Sequence, residues 1–244
     1  LETIKKGQID RNDVAEVIIK TDSPIAFDLS FEIANTSRFV LVDNYEISGG
    51  GIIEEALEDE YSQIKKSVEN RENNWQYSLV NKRNRAERYS QKPTMILITG
   101  DKGSGRIEIA KILEKNLFDS GRVVYYMGMQ NILLGVESDI PRVEDNIENH
   151  KEVMRRLGEV GNLMLHAGNL FIVTAVGIRA EDIEILKTTL NGAIQTFWIG
   201  EEISTDLVPD FHLDNFKDTQ EAVNKIKDYL GIKGIIFNSW IYSI

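Results

Sequence analysis

The sequence predicts an α/β protein: a parallel sheet with helices on both faces, preceded by a partial antiparallel β unit. Three observations lead there. From Lys92 onward, short apolar runs alternate with helical stretches, the rhythm of strand–helix–strand units. A glycine-rich turn, Gly100 to Gly105, joins the first of these runs to the first helix. Before residue 53 the chain carries only short β-rich runs divided by turn residues.

Taken in order, Val14–Thr21, Ala26–Phe31 and Arg38–Asn44 are expected as strands, separated by Thr21-Asp22-Ser23-Pro24 and Asn35-Thr36-Ser37. Gly49-Gly50-Gly51 suits a bulge or a close backbone crossing. So few strands do not close a core, so residues 1–53 are expected to be the end of a barrel. Residues 54–91 turn charged and helical in character, with a break at Asn70–Asn74 and a basic cluster at Lys82-Arg83-Asn84-Arg85. Residues 92–244 then alternate. Strands are expected at Met95–Thr99, Arg122–Met127, Leu170–Val176 and Ala193–Ile199, and helices at Ile107–Phe118, Asn149–Ala167, Glu181–Leu190 and Thr219–Leu230. The first helix should bury Ile109, Ala110, Leu113 and Leu117.

Composition excludes several classes of function. The 244 residues carry a net charge of −11, which argues against broad nucleic-acid binding. With 0 cysteines there is no disulfide, thiol nucleophile or thiolate metal site, which fits a reducing, cytoplasmic setting. Three scattered histidines, His150, His166 and His212, lack ligand spacing. No apolar run nears the ~20 residues of a membrane span. The chain opens on Leu1 in mid-pattern and is expected to be part of something longer.

The run Gly100-Asp101-Lys102-Gly103-Ser104-Gly105-Arg106-Ile107 sits where the phosphate-loop pattern G-x-x-x-x-G-K-[ST] belongs, between strand and helix. Gly100, Gly103, Ser104 and Gly105 keep the means to curl backbone N–H groups around an anion at a helix N-terminus. The lysine of the pattern is Arg106 and its Mg²⁺-binding hydroxyl is Ile107, while Glu108 sets a carboxylate where phosphate would sit. Arg106 can still pair with phosphate. An inherited tight turn is the alternative. Lys102 is either a substitute cation or a solvated one.

On these residues the chain resembles the adenylylsulfate (APS) kinases, which phosphorylate the 3′-hydroxyl of APS with ATP. Trp75-Gln76-Tyr77-Ser78-Leu79-Val80 with Arg83, Arg85 and Arg88 resembles the family's lead-in. Arg156–Gly168 (RLGEVGNLMLHAG), Thr174-Ala175 and Asp228-Tyr229-Leu230 are similar in wording and order. RFVLVDNYEISGGGII, from Arg38, resembles the last barrel strands of the GTPase subunit of sulfate adenylyltransferase, which is often fused to such a kinase.

The departures from the family are concentrated where chemistry is done. The family's Asp-Gly-Asp-Asn-x-Arg-His-Gly, with its Mg²⁺-handling and base carboxylates, is here Gly128-Met129-Gln130-Asn131-Ile132-Leu133-Leu134-Gly135. Asn131, and Arg155 in the later Glu152–Arg156 run, remain as residual APS contacts by resemblance, though Arg155 equally suits a solvated helix face. The basic lid is replaced by Gly200–Asp206, with Glu201, Glu202 and Asp206. Asp206, Asp210 and Asp214 lie near the region that would face the site. Because phosphoryl transfer is mostly positioning and charge stabilisation, losing these parts together implies an inactive module for assembly or regulation. No catalytic residue and no metal ligand are assigned; Mg²⁺ is not expected, and weak ATP, ADP or APS binding is left open. The alternatives are a functional APS kinase and a non-catalytic adenine-nucleotide sensor. The resemblance further implies a homodimer and association with other sulfate-activation subunits, while the charge and the lack of a long apolar run lead to the expectation of no nucleic acid and no membrane.

Overall fold

The computed structural model describes residues 9, 13–19, 21, 25–57, 61–136, 138, 139 and 147–237. The chain divides into two units, Leu1–Asp59 and Glu60–Ile244.

In the first unit, β1 (Arg38–Asp43) and β2 (Glu46–Ile52) form an antiparallel hairpin. Asn44 (φ 46°) and Tyr45 (φ 68°) make the turn, with both residues in the left-handed region that two-residue hairpin loops use. The register slips between Leu41 and Val42, opposite the glycine run. A Cβ on Gly51 would lie 2.6 Å from the Phe39 ring, so only glycine lets that ring cross the partner strand. The expected strands at 14–21 and 26–31 are a correction. The described parts of both lie outside any sheet, with Ser30 and Phe31 in a turn and Val14 100% and Ile18 82% exposed. β-branched residues favour a pleated surface but need a partner strand to make one, and no described segment provides it. Val40, Val42 and Ile47 on the hairpin are exposed as well.

The second unit is the expected parallel sheet with helices on both faces. Its elements are α1 (Ser62–Asn73), α2 (Lys82–Tyr89), β3 (Thr94–Gly100), α3 (Arg106–Asp119), β4 (Val124–Gly128), α4 (Met129–Leu134), α5 (Ile147–His166), β5 (Leu170–Thr174), α6 (Ala180–Thr189), β6 (Ile194–Ile199), β7 (Phe211–Leu213) and α7 (Thr219–Ile232). The strand order is β4-β5-β3-β6-β7, all pairs parallel. β3 is central and completely buried, which its unbroken apolar run requires.

Side-chain alternation along the strands divides the core in two. Met95, Leu97, Phe171, Val173 and Trp198 face α5 and α6, packing on Met154, Leu157, Ile183 and Leu186. Ile96, Ile98, Leu170, Ile172 and Phe197 face α3 and α7, packing on Ile109, Leu113, Leu117, Val223 and Ile226. The four inward positions expected on the first helix are all buried. α4 and β7 were not anticipated: six and three residues are too short to display a period.

Candidate functional site

β3 ends in Gly100 and the chain turns through 101–105 into α3. Gly100, Gly103 and Gly105 have φ of 147°, 88° and 80°. A Cβ on Gly100 would lie 2.3 Å from the Ile199 oxygen, so the turn is held tightly against β6. Gly105 caps α3 without a side-chain hydrogen bond, and an open depression of about 610 Å³ lies along this end of the helix. Gly103, Gly105, Arg106, Ile107, Glu108 and Lys111 line it.

Arg106 sits at the head of α3 as expected, but its guanidinium turns back: Nη1 donates to the Asp101 main-chain oxygen at 3.0 Å. Its Nε is buried without a partner, as are Ser104 Oγ and, beneath the turn, Thr99 Oγ1. Lys102 and Glu108 are exposed. From the other side, Ser204 Oγ donates to Asp101 Oδ1 at 2.6 Å, so the acidic segment 200–206 is tethered across the turn. Thr205 Oγ1 on the Ile178 oxygen and Trp198 Nε1 on the Glu202 oxygen, both 2.8 Å, anchor the same segment.

At the carboxyl end of β4, Gly128 leads straight into α4. The Tyr126 hydroxyl lies 3.0 Å from Thr174 Oγ1, and a Cβ on Gly128 would stand 3.4 Å from that hydroxyl. Asn131 is exposed on α4, Leu134 is 69% exposed, and Ile132 is buried against α5 and β5. Among the described residues no group of three or more His, Asp or Glu is arranged to hold a metal ion.

Arg155 is committed to a neighbour. Its Nε and Nη2 donate to the two oxygens of Glu152 at 2.7 and 2.8 Å, a bidentate pair. Arg156 bonds the same carboxylate at 2.8 Å and also Asp139 at 2.5 Å. Hydrogen bonds from Arg155, then from Arg156, hold the Glu152 carboxyl down at about 2 against the opposing effect of burial. The structure thus brings Gly103, Gly105 and Arg106 together around one depression, while Gly100 and Ser104 are not among its lining residues. Asn131 and Arg155 are not among the residues that line it.

Two of the remaining acids and all three histidines have structural partners. Asp206 Oδ1 accepts from the Ala180 N–H at 3.0 Å, and Asp210 Oδ2 from Thr196 N and Oγ1 at 2.8 Å. Asp214 is exposed. His212 Nε2 is 2.7 Å from the Gly200 oxygen, His150 Nε2 is 2.7 Å from Asp182 Oδ1, and His166 stacks on Trp75. Sequence reading gives Asp101 and Asp139 no role, and it names Glu152 only as part of its run, not as the partner of both arginines. That pairing was within its reach, since carboxylates three and four residues before arginines share a helix face.

Residues 92–208 match the family model described as adenylylsulphate kinase. The chain is 35% identical over 173 residues, 69% of its length, to the bifunctional enzyme NodQ of Rhizobium sp. (strain N33), and covers 24% of that protein. It is 29% identical to an adenylyl-sulfate kinase of Clostridium acetobutylicum, covering 64% of this chain and 92% of that one. In structure it is similar to the APS kinase CysC of Mycobacterium tuberculosis at a TM-score of 0.51 and 22% identity, over 58% of this chain and 99% of the other. The chain therefore spans about a quarter of the length of the NodQ proteins it matches, and its residues 92–208 are similar to the adenylylsulphate kinase family.

Proposed function

We propose that this domain is a catalytically inactive APS-kinase-like module of a sulfate-activating fusion, acting in assembly or regulation. The observation that carries the reading lies at the end of β4, where Gly128, Met129 and Gln130 bring no carboxylate to the phosphate loop. A phosphoryl transfer there would lack both a metal anchor and a group to receive the hydroxyl proton. Arg106 turned onto Asp101, and Arg155 held by Glu152, support the same reading. The reading includes a division into residues 1–53 as barrel-derived strands, 54–91 as helical lead-in and 92–244 as the kinase-like domain. It also includes a homodimer, other sulfate-activation subunits as partners, and a cytoplasmic location.

A second reading, an adenine-nucleotide sensor, is favoured by one observation. The turn keeps its three positive-φ glycines and an uncapped helix N-terminus beside open space. The deciding experiment follows ADP release from ATP and APS with Mg²⁺ in a coupled assay, beside calorimetry of Mg²⁺–ATP. No APS-dependent turnover is expected; rates near the ~1–100 s⁻¹ of ordinary kinases overturn the inactive reading. Tight Mg²⁺-dependent ATP binding without turnover selects the sensor.

A further inference from the structure

The phosphate loop lies at the carboxyl ends of the strands. At the opposite end of the sheet, where α5 closes and β5 begins, a second open cavity of about 540 Å³ lies between α2, the segment after α1 and the last turn of α5. Its lining includes Glu72, Trp75, Tyr77, Lys82, Arg85 and His166. The size suits a mononucleotide-scale ligand. In a chain of net charge −11 the local balance is inverted. The Glu72 carboxylate pairs with Arg71 at 2.9 Å, an arginine that also holds Glu159, and no carboxylate among the described residues lies within ion-pair distance of Lys82 or Arg85.

Two buried nitrogens here have no hydrogen-bond partner, Arg85 Nε and His166 Nε2. Unpartnered buried polar nitrogens are uncommon; Arg85 Nε calls for an acceptor, and His166 Nε2 does so when it carries a proton. The same wall is aromatic: Trp75 stacks on His166 with ring centres 4.1 Å apart, and Tyr77 is 71% exposed. Burial first, and the Lys82 charge second, keep His166 below its ordinary value against the opposing charge of Glu72, and an anion bound beside it would raise it.

We propose that this cavity binds a small phosphate or sulfate monoester bearing a planar ring. The anion sits by Lys82, Arg85 and His166, and the ring lies against Trp75 and Tyr77. Stacking and charge pairing each recognise one half of such a molecule. The site is independent of the phosphate loop and goes beyond the function proposed above.

The test titrates the whole chain with 5′-AMP, inorganic phosphate and adenosine, by calorimetry and by the His166 imidazole NMR signal. AMP is expected to bind at least about tenfold more tightly than phosphate or adenosine and to raise the His166 pKa. Lys82→Gln, an exposed position, and Arg85→Gln should each weaken AMP about tenfold or more, with circular dichroism confirming the fold; Arg106→Ala should leave binding unchanged. Three outcomes overturn the proposal. They are no saturable binding by about 10 mM AMP, phosphate binding as tightly as AMP, or binding that Arg106→Ala abolishes and Lys82→Gln spares.

Discussion

Arg106 Nη1 donates to the Asp101 main-chain oxygen across five residues at 3.0 Å, so the cation at the head of α3 is engaged within its own loop. An arginine is long enough to fold back in this way and planar enough to be held there. A lysine's single rotatable ammonium is less readily fixed.

That contact leads to a rescue experiment. Arg106→Lys with Ile107→Ser is expected to strengthen Mg²⁺–ATP binding, measured by calorimetry, because it supplies a mobile cation and a hydroxyl to a turn that keeps its shape. It should restore no phosphoryl transfer, since Gly128 and Gln130 still provide no carboxylate. Non-binding in the double variant would mean the turn is purely structural.

The glycines of the turn should differ in their tolerance. Gly100→Ala places a Cβ 2.3 Å from the Ile199 oxygen at φ 147°, and should cost more than ~3 kcal/mol in denaturant unfolding. Gly103→Ala meets no atom within 4 Å and should cost only the left-handed backbone penalty of about 1–2 kcal/mol. Equal losses at the two positions would contradict the packing of the turn against β6.

A similar contrast exists on α5. Gly158→Ala drives a methyl to 2.7 Å from Thr189 Cβ on α6, an atom fixed to the backbone. Gly161→Ala meets the Met95 terminal methyl at 2.6 Å, which can swing aside. Alanine otherwise favours a helix interior by ~1 kcal/mol. Thermal melts should therefore show Gly158→Ala clearly destabilised and Gly161→Ala much closer to the parent.

Two ion pairs contribute to the pH response in opposite directions. The hydrogen bond to buried Asp182 raises His150 above its ordinary 6.5. Its stabilisation is fully present below 6.5 and fades as pH rises through the elevated value. Glu152 is lowered from 4.5 to about 2, so its contribution is present above 4.5 and fades as pH falls toward 2. His150→Gln should flatten the alkaline side of a stability–pH curve, and Glu152→Gln the acid side. Both side chains are substantially exposed, so the effects should be modest.

The strand–turn–helix at 95–118 was legible because each part carries its own signal: a continuous apolar run, glycines at fixed offsets, then helical spacing of Ile109, Leu113 and Leu117. The runs at 14–19 and 26–29 carried an equally β-like signal and form no strand. A strand's stability resides in its partner, and no local pattern reports whether one exists.

The sequence by itself determined the layered α/β unit, the position of the glycine-rich turn and the presence of Arg106, Ile107, Gly128 and Gln130 around it, since these depend on residue identity and short-range period. Only the tertiary structure decided where the charges go. Arg106 turns onto Asp101, Ser204 reaches Asp101 across 103 residues, and Asp139 reaches Arg156 across 17. It also gathered Trp75, Lys82, Arg85 and His166 around one cavity. A charged side chain takes the nearest opposite charge or carbonyl in space, and which groups become neighbours is settled by how the helices pack on the sheet.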